Sequence, residues 1–476
     1  MKVFLAVPPT GKLIREDRCQ TPIKDLKTVA LRPPIELLYA AAGFERAGAV
    51  CRIEDYPARD LGWAAYERDL RDFAPDLVVI SITCPSLKED LEAAGRAKRV
   101  LPGVRVLAKG ALFESTDLRP ISECAALDGV LRGECEHTCR EIAEGAPWDA
   151  IQSLTWRNGR GMVHNPDRPF EPNLDALPFP ARHLIDNGLY RRPDTGEMQT
   201  TLVTNRGCPH TCIYCLAQQV AGAKHRRRTP ANILAEIDEC LAMGIKSFLF
   251  RSDLFTANKK WVMELCQAIC DRRLEKTIDW ACNSRVDTID GEMAAAMKRA
   301  GCFMVAFGVE SGDDEVLRKL DKKATAEEAR RAVALTKAAG IKVSAYFLLG
   351  LPWDTRETIE DTIGFACELD PDVAEFFYVY PFPGTELHRQ AVEAGLLAPG
   401  EVPVEAYGQP AIPSMTLSRE DLARERLRAL RRYYLRPRYI ARSLGGAATR
   451  PRVLFNYVRF GVAQLGAMMR PLRRSS

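Results

Sequence analysis

The stretch NRGCPHTCIYC, residues 205–215, decides how this chain is read. Cys208, Cys212 and Cys215 stand with three and then two residues between them. Three thiolates so spaced in a loop can wrap one corner of a cubane iron–sulfur cluster, because thiolate is a soft, strongly donating ligand. Only three such ligands stand together, so one iron keeps an open position that a small molecule with amino and carboxylate groups can chelate. A structural zinc site is the competing reading; it needs a fourth ligand, which His210 or His225 would supply. Position favours the cluster, since the motif directly follows a strand that opens six strand–helix units.

Those units occupy residues 199–395. Strands are expected at 200–206, 247–252, 279–284, 303–309, 343–349 and 374–380. Thr229 before Pro230 marks one helix start, and Thr325 with Glu328 forms a capping box at another. Six parallel units make a partial (β/α)6 barrel, with functional groups at the carboxyl ends of its strands. Upstream, residues 1–145 alternate buried strands (Val3–Val7, Arg52–Asp55, Leu77–Ile82, Arg105–Ala108, Gly129–Leu131) with helices at 35–48, 63–73, 87–99 and 137–144. That alternation gives a doubly wound parallel sheet. No GxGxxG follows its first strand, which disfavours a dinucleotide. Residues 146–198 read as a linker, with a hairpin signal at Asn158–Gly161 and then a proline-rich stretch. Residues 396–476 read as helical and arginine-rich. The fold class is therefore α/β throughout, with a helical C-terminal region.

A chain of 476 residues holds two such domains. Its fifteen cysteines are scattered, and without a secretory signal they read as reduced thiols of a cytoplasmic protein. No apolar run approaches the roughly eighteen residues of a spanning helix. Cys135, His137 and Cys139 do not close a zinc site and read as partly buried thiols on an amphipathic helix. From Arg426 onward there are thirteen arginines and no lysine or acidic residue, interleaved with aromatics from Tyr433 to Phe460. Basic and apolar faces together point to an anionic membrane surface, hence peripheral contact at the inner membrane. Nucleic acid is disfavoured. The alternative is a tail packed on its own barrel.

The CxxxCxxC motif, with Tyr214 before its third cysteine, resembles the radical S-adenosylmethionine (SAM) superfamily. This resemblance implies a [4Fe–4S] cluster on Cys208, Cys212 and Cys215, with SAM chelating the fourth iron. An electron from a flavodoxin or ferredoxin would then cleave SAM to a 5′-deoxyadenosyl radical. It also implies SAM contacts at Tyr214, Asp253, Asn283, Ser284, Arg285 and Glu310, all near strand ends. The family's glycine-rich turn after the second strand is replaced by Arg251-Ser252-Asp253, which leaves the partner of the SAM amino group open.

An open α/β domain ahead of such a barrel resembles the cobalamin-binding branch of the superfamily. The matching stretches are Val7–Pro9, Ser81–Thr83, Pro85–Ser86, Lys109–Gly110 and Arg132–Glu134. Corrin contacts are implied at Ser81, Thr83, Ser86, Gly110 and Glu134. The DxHxxG signature is missing and no histidine precedes His137, so bound cobalamin would be base-off without a histidine ligand. The layout is similar to methyltransferases and to anaerobic porphyrin cyclase and hopanoid relatives. It implies methylation of an unactivated carbon in a hydrophobic, lipid or tetrapyrrole-like substrate. Tyr378, Tyr380 and Pro383, at the sixth strand end, are read either as lining the substrate side or, equally, as aromatic core. Oxidative cyclisation or rearrangement on the same substrate class is the alternative. A non-catalytic cobalamin or redox sensor is a third reading, and an open iron argues against it.

Overall fold

A computed structural model describes residues 1–16, 19–22, 31–403 and 409–447. The chain builds two main sheets. The first contains β1 (Lys2–Val7), β4 (Val50–Asp55), β5 (Leu77–Ser81), β6 (Arg105–Lys109), β7 (Gly129–Leu131), β8 (Leu154–Arg157) and β9 (Met162–His164). Between β1 and β4 the chain inserts β2 (Leu13–Glu16) and β3 (Cys19–Pro22), an antiparallel hairpin.

β1 and β5 are apolar on both faces because helices cover both sides, as a parallel sheet requires. Val3, Leu5, Leu77 and Val79 pack beneath the helices Ile35–Glu45 and Glu136–Ala143. Phe4, Val78 and Ile80 pack beneath Trp63–Phe73 and Leu87–Val100. The strand order β4-β1-β5-β6-β7-β8-β9 reverses between β1 and β5, the place where open α/β sheets have their ligand crevice.

Two departures from the sequence reading concern this sheet. The hairpin expected in the linker instead extends the sheet, β8 pairing antiparallel to β7 with Leu131 opposite Leu154. It covers an edge that would otherwise stay open. The β2–β3 hairpin, for which no expectation was formed, lies over the reversal point. Arg15, its side chain 4% exposed, grips the fully buried Asp90 at 2.9 Å and donates to the Ser81 carbonyl at 3.0 Å. The Gln20 side chain accepts from the Cys84 amide at 2.7 Å.

A two-strand ladder, β11 (Asn205–Arg206) with β12 (Arg226–Arg227), flanks the second sheet. That sheet is all parallel in the order β10 (Gln199–Val203), β13 (Ser247–Arg251), β14 (Asp279–Arg285), β15 (Cys302–Glu310), β16 (Lys342–Leu349) and β17 (Val373–Tyr378). The six expected strands are present, and so is the capping box at Thr325. Alternation sorts their side chains. Phe248, Phe250, Trp280, Cys282, Phe307, Phe347 and Phe376 join the core shared with the outer helices. Arg251, Asn283, Arg285, Gly308, Tyr346 and Phe377 belong to the opposite, inner face. β15 carries a register shift between Gly308 and Glu310, and Glu310 has a positive φ of 70°.

The helices Arg419–Tyr434 and Pro437–Ala447 close the barrel's last strand. Tyr433 is completely buried in the barrel core, and its ring meets those of Tyr434 and Tyr439 at 5.0 and 5.4 Å. Arg436 and Arg442 pair with Asp370, and Arg428 and Arg432 with Glu360. Over these residues the tail packs on its own barrel, the alternative named above. The rest of the arginine-rich stretch, residues 448–476, lies outside the described residues. Among the described residues no helix is long and apolar enough to cross a membrane.

Candidate active site

The cysteine loop leaves β10 and is folded back by Gly207, whose φ is +91° and where any Cβ would be driven into the carbonyl of Lys224. The Asp253 carboxylate, at the end of β13, accepts from the Gly207 amide. Cys208, 8% exposed, packs on Ala217 and Leu254 with Cys215 beside it. Ala217 donates its amide to the Cys215 sulfur at 3.4 Å. Burial, and then the charges of Cys215 and Cys212, push the Cys208 thiol up. Burial also raises the Cys212 thiol, opposed chiefly by the Lys322 ammonium and, after it, the Arg285 guanidinium. The three thiols are thus neighbours, and their chemistry fits a cluster.

Tyr214 and Glu310, both expected at the SAM site, meet directly. The Tyr214 hydroxyl donates to Glu310 Oε1 at 2.8 Å, and Lys322 Nζ donates to the same oxygen at 2.7 Å. Among the described residues the second carboxylate oxygen has no hydrogen-bond partner. Gly308 makes room: a Cβ there would be driven into Glu310 Oε1 and would lie 3.0 Å from Lys322 Nζ. Lys322 was not foreseen. It lies in the run Asp321-Lys322-Lys323, which reads in sequence as a solvated charge cluster. In the fold Asp321 and Lys323 adopt left-handed φ values of 50° and 52°, and Lys322 between them is turned inward, its side chain 6% exposed. Strained non-glycine residues gather at functional sites, and Glu310, Asp321 and Lys323 do so here.

The remaining expected SAM contacts divide. Arg285 is locked by Asp287 and turns one nitrogen, Nη1, to the Cys212 sulfur at 3.7 Å. Asp253 serves the cysteine loop. Asn283 shares the inner face with Arg285. Ser284 has the parity of Trp280 and Cys282, and its hydroxyl bonds Thr256, so alternation turns it to the outer face.

Most of the residues expected to contact a corrin have partners of their own within the fold. Thr83 and Ser86 bond each other at 2.6 Å, and Ser86 donates to Asp90 at 2.6 Å. Gly110 is small because a Cβ would strike the Ile82 carbonyl. Glu134 is held below its ordinary range, against its burial, by Arg206 and Arg226, with Arg226 at 2.7 Å. Of the hydroxyls expected at the corrin, that of Ser81 has no hydrogen-bond partner among the described residues.

What the two domains do share is orientation. Cys84, Ala111 and Leu112, beyond β5 and β6, pack on Leu216, Val220 and Ala221 of the cysteine loop and on Tyr380 and Phe382 beyond β17. The Ser115 hydroxyl donates to the Pro383 carbonyl at 2.7 Å. Arg251, ending β13, pairs with Glu36 at 2.6 Å. The carboxyl ends of both sheets therefore face each other across the cysteine loop. Tyr380 and Pro383 belong to this seam, while Tyr378 lies in the outer core; alternation puts Phe377, not Tyr378, on the inner face, 5.7 Å from the Tyr346 ring. Cys135 and Cys139 are buried thiols, and His137 turns away to Glu171 at 3.0 Å.

Residues 202–366 match the radical SAM superfamily and form a radical SAM domain. The chain is an enzyme of that chemistry. It is 29% identical over 449 residues to an uncharacterized methyltransferase of Pyrococcus horikoshii, covering 93% of this chain and 95% of that protein. It is 25% identical over 449 residues to the anaerobic magnesium-protoporphyrin IX monomethyl ester cyclase of Cereibacter sphaeroides, covering 90% of this chain and 71% of that one. Its fold is similar to the radical SAM methyltransferase TsrM of Kitasatospora setae, solved with cobalamin and a [4Fe–4S] cluster bound (TM-score 0.65, 20% identity, 82% of this chain and 74% of that one).

Proposed function

We propose that this chain is a cobalamin-dependent radical SAM methyltransferase that methylates an unactivated carbon of a hydrophobic small molecule. The observation that carries the reading is the face-to-face placement of the two sheets' carboxyl ends across the Cys208–Cys215 loop. When bound, the cluster supplies an electron for reductive cleavage of SAM and cobalamin supplies a methyl group. Cys208, Cys212 and Cys215 would hold the cluster. Glu310, aligned by Tyr214 and Lys322, would accept hydrogen bonds from SAM hydroxyls. The corrin would rest on the loops after β1, β5, β6 and β7, with Ser81 the one expected contact whose hydroxyl is uncommitted. Tyr346 and Phe377 offer an apolar wall on the inner face, in keeping with a hydrophobic substrate. A flavodoxin or ferredoxin would supply electrons in the cytoplasm, and any contact with the inner membrane would fall to residues beyond Ala447.

The test is anaerobic incubation of reduced, reconstituted protein with SAM and cobalamin, with lipid and tetrapyrrole extracts as substrate. Formation of both 5′-deoxyadenosine and S-adenosylhomocysteine is expected, with a methylated product. Deoxyadenosine alone, with an oxidised product, would favour the cyclase reading, and neither product would leave only a sensor.

A further inference from the structure

Arg285 is held unusually firmly for an arginine beside a ligand site. Its side chain is 8% exposed, and Asp287 grips the fork twice, Nε at 2.9 Å and Nη2 at 2.8 Å. Nη2 also donates to the Lys322 carbonyl at 2.5 Å. Four of the five guanidinium hydrogens lie on Nη1 and Nη2, and with Nε and Nη2 committed, only Nη1 can turn elsewhere. It faces the Cys212 sulfur at 3.7 Å. The loop that positions this fork is the strained Asp321–Lys323 segment, so the arrangement is built rather than incidental.

We propose that Arg285 is a positioning residue that raises the reduction potential of the cluster through an N–H···S bond to Cys212. The inference rests on the cluster assignment made above. A positive donor at a ligating thiolate offsets negative charge that grows when the cluster gains one electron, going from the 2+ to the 1+ state, so the reduced form is favoured. Asp287 serves by aiming the fork. Its own charge is partly spent on the guanidinium, which leaves geometry as its main contribution.

The full chain is reconstituted anaerobically with iron and sulfide, then poised against dithionite and a series of viologen dyes. The reduced fraction is read from the bleached charge-transfer absorbance and from electron paramagnetic resonance. At the potential that half-reduces the parent, Arg285→Gln is expected to lower the ratio of reduced to oxidised cluster about tenfold, equivalent to about 59 mV for one electron. Arg285→Lys, which keeps charge but loses the fork, and Asp287→Asn, which keeps the arginine but frees it, should each fall between. Arg285→Gln with the parent's iron content and an unmoved ratio overturns the inference. If that variant takes up no cluster, Asp287→Asn decides by the same criterion. A parent chain that takes up no cluster at all sinks the functional reading instead, so the two failures are told apart.

Discussion

The Lys322 ammonium sits 2.7 Å from Glu310 Oε1 with both side chains less than a tenth exposed. Such a pair stabilises little net, because desolvating two ions offsets most of their attraction, yet losing one partner strands a buried charge. Lys322→Met and Glu310→Gln are each expected to cost roughly 3–5 kcal/mol of unfolding free energy. The double variant should cost less than the sum. Denaturant titration of all four proteins checks this, and strict additivity would show that the pair is not coupled.

Gly308 lies beneath that pair. Gly308→Ala should displace Glu310 without disturbing the sheet, since its φ lies outside the left-handed region. SAM affinity, measured by calorimetry on reconstituted protein, is expected to fall at least about tenfold, or 1.4 kcal/mol. Unchanged affinity would remove Glu310 from the SAM site.

Cys212→Ala should lose the charge-transfer absorbance and SAM cleavage together, whereas the parent should hold about four irons per chain in this loop. Zinc bound with full activity retained would refute the assignment.

Tyr433 has no solvent exposure, and its hydroxyl donates to the Pro371 carbonyl. Tyr433→Ala should cost roughly 3–5 kcal/mol, as large aromatic-to-alanine changes in cores do, seen as a lowered melting temperature. A chain ending after Ala447 should stay folded. Comparing its co-sedimentation with anionic vesicles against that of the full chain isolates what residues 448–476 contribute to membrane contact.

Asp354 is pushed up to about 6, mainly by burial, despite accepting from the Gly350 and Leu351 amides at 2.8 and 3.0 Å. Its folded value lies above the unfolded one, so the native state binds the extra proton between about pH 4 and 6. Stability from this group is therefore present below that window and lost as pH rises through it. Asp354→Asn should flatten the slope there. An identical pH profile for the variant would assign the slope elsewhere.

Much of this was legible in the chain itself. The barrel strands announce themselves because each is apolar on the helix face and bounded by capped helices, as at Thr229 and Thr325. The cysteine spacing is local, so the loop could be read without the fold. Lys322 could not, because its inward direction depends on left-handed backbone at Asp321 and Lys323, residues with no glycine to signal it. The faces of Ser284 and Tyr378 follow from strand parity, which only known register fixes. The pairing of Glu134 with Arg206 and Arg226 could not be read in the chain, because those arginines are distant in sequence. The β2–β3 hairpin was missed because LIRE and CQTP are too short and polar to declare strands.

The seam between the two sheets is sewn at several separate points: Glu134 to Arg226, Glu136 to Arg206, Glu36 to Arg251, and an apolar patch around Cys84 and Phe382. Parting it would strand several buried charges at once, each at a cost of some kcal/mol. Such a seam disfavours a turnover in which the halves swing apart like a clamshell. It favours a fixed frame instead, with substrate and product passing by rearrangement of loops.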